Sequence, residues 1–237
     1  MTPFKAFRNF NDPALRPLTG VRARIHPDSA QYFPGDGLPQ RIARALCARK
    51  AVPVKEVFES FEFFERTRRR ARATEMADLC CGHGLTGVLF AAFERRVDRV
   101  TLVDRRRTAS FDTVLDAVAS EAPWVTDKVV YLERSVEGVG HALAPGTAII
   151  AVHACGVRTD RCIDAGLATG GPMALMPCCY YRTAADAPVA LRRALGRRDA
   201  TDVHRTYRLE AAGYRVDWSA VPAEITDMHR ILIAVRA

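Results

Sequence analysis

The sequence predicts an α/β protein: a Rossmann-like, doubly wound, mostly parallel sheet of seven strands with a C-terminal antiparallel hairpin, preceded by a helical and irregular N-terminal segment. From about residue 74 onward, short apolar runs alternate with helical stretches, which is typical of a parallel sheet covered by helices. A glycine-rich loop follows the first apolar run. Only a loop separates the last two runs, so they predict a hairpin at one edge of the sheet.

The N-terminal segment precedes the predicted sheet and lacks its alternation of apolar runs and helical stretches. Prolines interrupt its first half, which excludes long helices there. Pro39 begins one predicted helix and Pro53 a second. Three apolar side chains at helical spacing support the second helix: Val57, Phe61 and Phe64. We therefore predict a cap or substrate-binding segment over residues 1–72 and a sheet domain over residues 73–237.

Each later element is predicted from its apolar pattern and its flanking turns. The predicted strands cover residues 76–79, 100–103, 129–132, 147–152, 172–176, 214–218 and 230–235. The predicted helices cover residues 85–94, 111–120, 158–168, 189–196 and 203–212. Parallel strands all end at one edge of the sheet, and ligands of such folds bind at that edge.

The composition restricts location and partners. No apolar run approaches the roughly 20 residues of a membrane span, and no apolar leader follows Met1, so we expect a cytoplasmic protein without membrane contact. Seven cysteines, an odd number with two adjacent pairs, form a poor disulfide framework and suit a reducing compartment.

The formal net charge is +8, and the basic excess is almost entirely arginine. A positive surface attracts polyanions, and the guanidinium group suits phosphate. We therefore predict possible RNA contacts through one dense cluster: Arg66, Arg68, Arg69, Arg70 and Arg72. The alternative is a GC-rich genome that encodes arginine where others encode lysine.

The glycine-rich loop satisfies the G-x-G-x-x-G pattern from Gly82 to Gly87, which serves NAD, FAD and S-adenosylmethionine (SAM) alike. Asp78, at the end of the preceding strand, favours SAM, because a carboxylate suits its cationic amino-acid end and would repel a pyrophosphate. Asp104 ends the next strand, where an acid accepts ribose hydroxyls from either cofactor. The alternatives are a helix N-cap or loop anchor for Asp78 and a solvated strand terminus for Asp104.

The segment from Asp78 to Gly84 resembles motif I of class I SAM-dependent methyltransferases, with Cys80 where glycine is commoner. The resemblance covers the chain from about residue 73 and implies SAM as cofactor. It also implies that the segment after the third strand, including Ser135, lies near the adenine. The predicted cofactor-binding residues are Asp78, Cys80, Gly82, Gly84, Asp104, Arg105, Ser135 and His153.

Two further segments resemble a methyltransferase subgroup with a His-x-Cys-Gly…Thr-Asp motif and a Cys-Cys-aromatic motif. The segments are His153 to Asp160 and Pro177 to Tyr181. The subgroup includes tRNA ribose 2′-O-methyltransferases, so the resemblance implies a tRNA-like acceptor. The predicted catalytic residues are His153, Cys155, Cys178 and Tyr180.

These candidates have competing interpretations. His153 can act as a proton acceptor, or it can bond a neighbouring loop. The cysteines at the strand ends, expected to converge beside the methyl donor, can attack a base, bind a metal or simply pack. Adjacent cysteines are not the usual zinc spacing, so no metal ligand is assigned. Tyr180 either lines the acceptor pocket or covers the core.

The leading hypothesis is SAM-dependent methyl transfer to RNA or another phosphate-rich acceptor. The first alternative is a small-molecule methyltransferase with the N-terminal segment as a lid, supported by its aromatic residues: Phe4, Phe7, Phe10, Tyr32 and Phe33. The second is a non-catalytic module that binds SAM or nucleic acid. The oligomeric state is open.

Overall fold

The computed structural model describes residues 2–180 and 187–237 and contains one seven-stranded sheet. The strands are β1 (Glu75–Leu79), β2 (Arg99–Asp104), β3 (Val129–Glu133), β4 (Ala148–Val152), β5 (Met173–Met176), β6 (Tyr214–Ala220) and β7 (Arg230–Arg236). Their order is β3-β2-β1-β4-β5-β7-β6, parallel from β3 to β5 and antiparallel for β7 and β6. The predicted fold class is confirmed, since the buried apolar runs locate the strands.

Seven α-helices accompany the sheet within the described residues. They are α1 (Leu38–Ala48), α2 (Val54–Thr67), α3 (Leu85–Phe93), α4 (Ala109–Ala119), α5 (Val125–Lys128), α6 (Val157–Thr169) and α7 (Val189–Ala211). The gap predicted over residues 197–202 is wrong, because α7 resumes directly after Gly196. Gly196 adopts φ 75° and ψ 163°, which breaks the helical geometry at a single residue.

The strand order locates the ligand edge. β1 and β4 are central neighbours, and the chain turns away from them in opposite directions, which creates a crevice at their carboxyl ends. We call the edge where β1 to β5 end the carboxyl edge, and the opposite one the amino edge. α3 starts at the carboxyl edge and ends at the amino edge, because it connects two parallel strands.

The N-terminal aromatic residues belong to the protein interior. Phe4, Phe7, Phe10 and Phe33 are at most 2% exposed and surround Phe58 of α2, with the Phe10 and Phe58 ring centroids 4.5 Å apart. Tyr32 is half-buried. These rings stabilise the segment by burial, so the four phenylalanines do not support a lid that binds substrate through aromatic contacts.

Polar contacts also hold this segment to α2. The carboxylate of the buried Glu62 accepts the backbone N–H groups of Lys5 and Ala6, at 2.7 and 2.9 Å, and pairs with Arg66 at 2.8 Å. One apolar cluster includes both N-terminal phenylalanines and sheet residues such as Ile150. The boundary at residue 72 stays a prediction.

The helices of the described residues include none that is both long and apolar enough to cross a membrane.

Candidate active site

Two cavities lie at the carboxyl edge, on either side of the loop after β1. The first, here called the acidic cavity, has about 220 Å³ and is lined by Glu56, Glu59, Asp78, His83 and His153, among others. The second, here called the arginine cavity, has about 150 Å³ and is lined by Asp104, Arg105, Arg134, Val136 and Arg158, among others. Both share Cys80 and His153 as wall residues, so the two cavities are adjacent.

Gly82 and Gly84 of the loop have different structural roles. Gly82 adopts φ 55°, and a Cβ there would meet nothing within 4 Å, so its backbone faces open space that a ligand can approach. Gly84 adopts φ 69°, and a Cβ there would lie 2.9 Å from the Phe111 ring. Gly84 therefore permits packing of the loop, whereas Gly82 permits close approach of a ligand.

Asp104 lies at the end of β2 and binds the loop directly. Its Oδ2 accepts the Gly82 N–H at 2.9 Å, and its Oδ1 accepts the Arg105 N–H at 2.7 Å. The carboxylate also lines the arginine cavity and keeps further lone pairs for a ligand hydroxyl. It can bind a ribose and hold the glycine loop at the same time.

Asp78 both anchors the loop to α3 and faces the acidic cavity, where a ligand can contact it. It is 2% exposed, and its Oδ2 accepts the Gly87 N–H in the first turn of α3 at 2.9 Å. It also lines the acidic cavity. Burial raises the pKa of the Asp78 carboxyl from 3.8 to about 7; the Gly87 hydrogen bond opposes this rise and the charge of Asp104 adds to it.

An imidazole and a buried carboxylate meet in the acidic cavity. His153 Nε2 lies 2.7 Å from Glu59 Oε1, and Lys55 Nζ lies 2.5 Å from the same oxygen. Glu59 is 1% exposed, and neither its Oε2 nor His153 Nδ1 has a hydrogen-bond partner among the described residues. His153 adopts φ 59°, a left-handed conformation that is rare for a non-glycine residue and common at functional sites.

The acidic residues of α2 were not predicted as site residues. Glu56 pairs with His83 at 3.1 Å, and Glu59 pairs with His153. The available signal was the row of glutamates beside the apolar stripe of this helix, which we assigned to a capping segment. A glutamate on a helix that is buried on more than one face requires a partner, and here the partners are the two histidines.

Residues 49–186 match the profile of a methyltransferase domain family. This is more than half of the chain. The chain belongs to this methyltransferase family. Its cofactor is S-adenosylmethionine.

Solved structures with a similar fold are distant in sequence. A SAM-dependent methyltransferase from Aquifex aeolicus is 12% identical with a TM-score of 0.48, over 76% of this chain and 92% of that chain. A precorrin-6y C5,15-methyltransferase from Geobacter metallireducens is 15% identical with a TM-score of 0.46, over 74% and 89%. Fibrillarin, a pre-rRNA processing protein from Methanococcus jannaschii, is 13% identical with a TM-score of 0.46, over 69% and 67%. No curated protein matches the chain.

The two cavities of the methyltransferase suit the two ends of SAM. In the acidic cavity, the unpartnered Oε2 of Glu59 is a buried carboxylate oxygen that a cationic group would satisfy. In the arginine cavity, Asp104 offers acceptors for ribose hydroxyls, and the buried Val136 offers an apolar surface for a base. Gly82 lines the acidic cavity and its N–H bonds Asp104 of the arginine cavity, so the residues present fit the cofactor.

The segment after β3 contacts the cavity through residues other than the predicted one. Arg134 and Val136 line the arginine cavity. Ser135 is not part of either lining, and its hydroxyl donates a hydrogen bond to Glu137. The neighbours of Ser135 therefore line the arginine cavity, and so does Arg105, whose role in cofactor binding stays a prediction.

The cysteines do not converge at one point. Cys155, Cys178 and Cys179 form one group, Cys80 lies against Cys162, and Cys81 lies against Tyr131. Only Cys80 and Cys81 line the cavities. Burial raises the pKa of the Cys155 and Cys178 thiols, which lowers the thiolate fraction and disfavours the nucleophile interpretation.

The hydroxyl of Tyr180 is already engaged. It donates a hydrogen bond of 2.7 Å to Asp202, which is fully buried and also bonds Arg205 and Arg230. Burial and the Asp202 charge raise the pKa of Tyr180. These contacts favour the interpretation that Tyr180 covers the core, while Tyr181 lies outside the described residues.

The arginine cluster that we expected to contact RNA is mostly occupied by carboxylates. Arg66 has a side chain only 4% exposed and pairs with Glu62, so its assignment to RNA is corrected. Arg68 and Arg72 both pair with Glu94, which directly follows α3 at the amino edge. Arg70 pairs with Asp217, and Arg69 is exposed. The cluster therefore lies at the edge opposite the cavities.

The raised pKa of Asp78 predicts a pH dependence of SAM binding. The folded, ligand-free protein binds the proton of the Asp78 carboxyl more tightly than the unfolded chain does. This proton therefore stabilises the folded state; the contribution is fully present below pH 3.8 and is lost as the pH rises through about 7. The SAM ammonium group favours the ionised carboxylate, so binding should release the proton at lower pH. We expect SAM affinity to fall by up to about tenfold as the pH drops from about 8 to about 6.

Calorimetry in two buffers of different ionisation enthalpy would measure both the affinity and the proton release. Asp78→Asn should flatten the pH dependence, because the titrating group is gone. Asp116→Asn, at an exposed carboxylate of α4, is the control and should retain it. An equal pH dependence in all three proteins would refute the assignment to Asp78.

Proposed function

We propose that this methyltransferase modifies an RNA, with His153 as the proton acceptor. One observation supports the RNA most strongly: Arg105, Arg134 and Arg158 line a cavity at the carboxyl edge and have no carboxylate partner among the described residues. All three are exposed. SAM carries no phosphate, so three unpaired arginines beside its site suit the phosphates of an acceptor.

The charge distribution also favours a nucleotide acceptor. The acidic cavity contains three carboxylates, Glu56, Glu59 and Asp78, which repel phosphate. The arginine cavity next to it attracts phosphate. A nucleotide can satisfy both with SAM in place, since its phosphates contact the three exposed arginine side chains from outside while its neutral ribose or base approaches His153.

His153 and Glu59 provide the proton transfer. When Glu59 is ionised, it accepts the Nε2 hydrogen of His153 and stabilises that tautomer. Nδ1 is then the acceptor nitrogen, and it has no partner among the described residues. Because Nδ1 is buried in this structure, the loop of His153 must shift before Nδ1 can take the proton from an acceptor hydroxyl or amine; Glu59 then stabilises the resulting imidazolium. SAM supplies the electrophilic methyl group, and the protein holds both reactants in line.

The finer acceptor class comes from sequence resemblance. The His153 to Asp160 and Pro177 to Tyr181 motifs resemble tRNA ribose methyltransferases. We therefore propose tRNA as the first RNA to test, with labelled SAM and mass spectrometry of the digested product. A labelled metabolite with unlabelled RNA would instead support the small-molecule alternative.

The arginine cavity predicts a salt-dependent interaction with RNA. The double substitution Arg134→Ala with Arg158→Ala should weaken RNA binding about tenfold or more and reduce the salt slope by about 2, because two phosphate contacts are lost. Filter binding over a range of salt concentrations would measure both quantities.

A matched control removes the same charge at the amino edge. Arg95→Ala with Arg96→Ala alters two exposed arginines before β2, far from the cavities, and should bind RNA as the wild type does. Equal losses in both double variants, or no RNA binding by the wild type at low salt, would contradict the proposal. SAM calorimetry on both variants separates acceptor effects from cofactor effects.

A further inference from the structure

We propose that Cys155, Cys178 and Cys179 bind one Zn²⁺ ion at the carboxyl ends of β4 and β5. Their sulfur atoms all lie within 4.8 Å of one another, and the Cys155 and Cys178 sulfurs are 3.0 Å apart. The three thiols come from two chain segments, one after each strand. They do not line the acidic or the arginine cavity, so this site is separate from the cofactor site.

The spacing suits a tetrahedral metal. Zinc–thiolate bonds of about 2.3 Å place ligating sulfurs about 3.8 Å apart in a tetrahedron. The observed group lies within 4.8 Å, so small side-chain rotations would bring all three sulfurs to one ion. Three thiolates leave a fourth position, which a water molecule can occupy.

The backbone turns two adjacent cysteines toward the same point. In an extended chain, neighbouring side chains point to opposite sides. Cys179 instead adopts φ 53°, in the left-handed region that non-glycine residues rarely occupy. With this backbone the Cys178 and Cys179 sulfurs lie in one group with the Cys155 sulfur, so an adjacent pair can serve one ion.

The surrounding backbone holds the two segments together before any ion binds. The His153 N–H donates to the Met176 carbonyl at 2.9 Å, and the Gly156 N–H donates to the Cys178 carbonyl at 3.3 Å. These bonds join the segment of Cys155 to the segment that leads into Cys178 and Cys179. A preformed arrangement lowers the ordering entropy that metal binding would otherwise require.

The local charge suits a thiolate site. Three thiolates on one divalent ion leave a net single negative charge. α6 begins at Val157, directly beside Cys155, so the positive end of its dipole faces the group. The exposed Arg158 in its first turn adds a positive charge. Each ligating thiol releases its proton to solvent on binding. The ion would crosslink the β4 and β5 ends and thereby position the His153 loop.

Metal analysis of the full-length protein tests this proposal. Protein purified under reducing conditions without chelator should contain about one zinc per chain by plasma mass spectrometry. Cys155→Ser and Cys179→Ser should each remove most of it. Cys47→Ala, at a buried cysteine in α1, is the control and should retain it. The proposal would be overturned if the wild type contained no zinc, or if both serine variants kept the zinc content of the wild type.

A second measurement uses the wild-type chain and needs no substitution. Wild-type protein stripped of metal is titrated with Co²⁺, which should produce a thiolate-to-cobalt charge-transfer band. In parallel, zinc should protect Cys155, Cys178 and Cys179 from alkylation, as read by peptide mass spectrometry. Equal alkylation with and without zinc, no cobalt band, or a Cys155–Cys178 disulfide in the reduced preparation would each refute the site. None of these readouts depends on methyl transfer, so they remain informative if the RNA proposal fails.

Discussion

Asp104→Ala is expected to weaken SAM binding by about 100-fold or more, equivalent to about 3 kcal/mol. Two effects add. The ribose loses a charged acceptor, and each hydrogen bond to a charged group contributes about 1.5–3 kcal/mol. The Gly82 and Arg105 N–H groups also lose the carboxylate that they contact at 2.9 and 2.7 Å, so the glycine loop is released.

Calorimetric titration of SAM measures this effect, and circular dichroism verifies the fold of the variant. Asp116→Ala removes one exposed carboxylate from α4 and should bind SAM as the wild type does. Asp104→Asn should give an intermediate affinity, because an amide oxygen still accepts one hydrogen bond. Unchanged affinity in Asp104→Ala would exclude Asp104 from the cofactor site.

His153→Ala is expected to lower the rate of methyl transfer by about 10²- to 10⁴-fold, the usual contribution of a general base. SAM affinity should change little, because the carboxylates of the acidic cavity and Asp104 remain. Glu59→Gln should reduce the rate less, since the amide still contacts Nε2 but carries no charge to stabilise the imidazolium. Single-turnover assays with saturating SAM measure the chemical step.

The control for the histidine is His141→Ala, at an exposed histidine of the 3₁₀ helix Val139–Ala142. It should retain full activity. If His153→Ala also retained full activity, the alternative interpretation of His153, a structural bond between the β4 loop and α2, would be correct. Loss of SAM binding in the same variant would assign His153 to the cofactor instead of the acceptor.

The strands, the glycine loop and its two acids were predictable because their signals are local. An apolar run locates a strand, and the residue after it lies at the carboxyl edge of a parallel sheet. Asp78 is the penultimate residue of β1 and Asp104 is the last residue of β2, and both line the cavities. The glycines were identified as a group, but the pattern alone does not distinguish Gly82, which faces open space, from Gly84, which packs against Phe111.

Pairings between distant residues were not predictable from the same patterns. The arginine cluster after α2 looked like one basic patch, but Arg70 pairs with a carboxylate 147 positions away. Arg105, Arg134 and Arg158 are separated in the chain, and only Arg105 was predicted as a site residue, yet the ends of β2 and β3 and the first turn of α6 bring all three to one cavity. A charge pattern in the sequence has no position in space until the chain folds. An ion pair within the protein then leaves that arginine unavailable to an outside partner.

By itself, the sequence determined the sheet, the position of the glycine-rich loop and the acids at its strand ends, because each depends on periodicity and on neighbours along the chain. Only the tertiary structure decided the partner of His153, which is Glu59, 94 positions earlier on α2. It also decided the grouping of the cysteines. Cys80 and Cys179 both have a left-handed backbone, so the local conformation alone does not set the grouping. Cys80 and Cys81 lie against Cys162 and Tyr131 on opposite faces of the sheet, whereas Cys178 and Cys179 meet Cys155 from the neighbouring strand end.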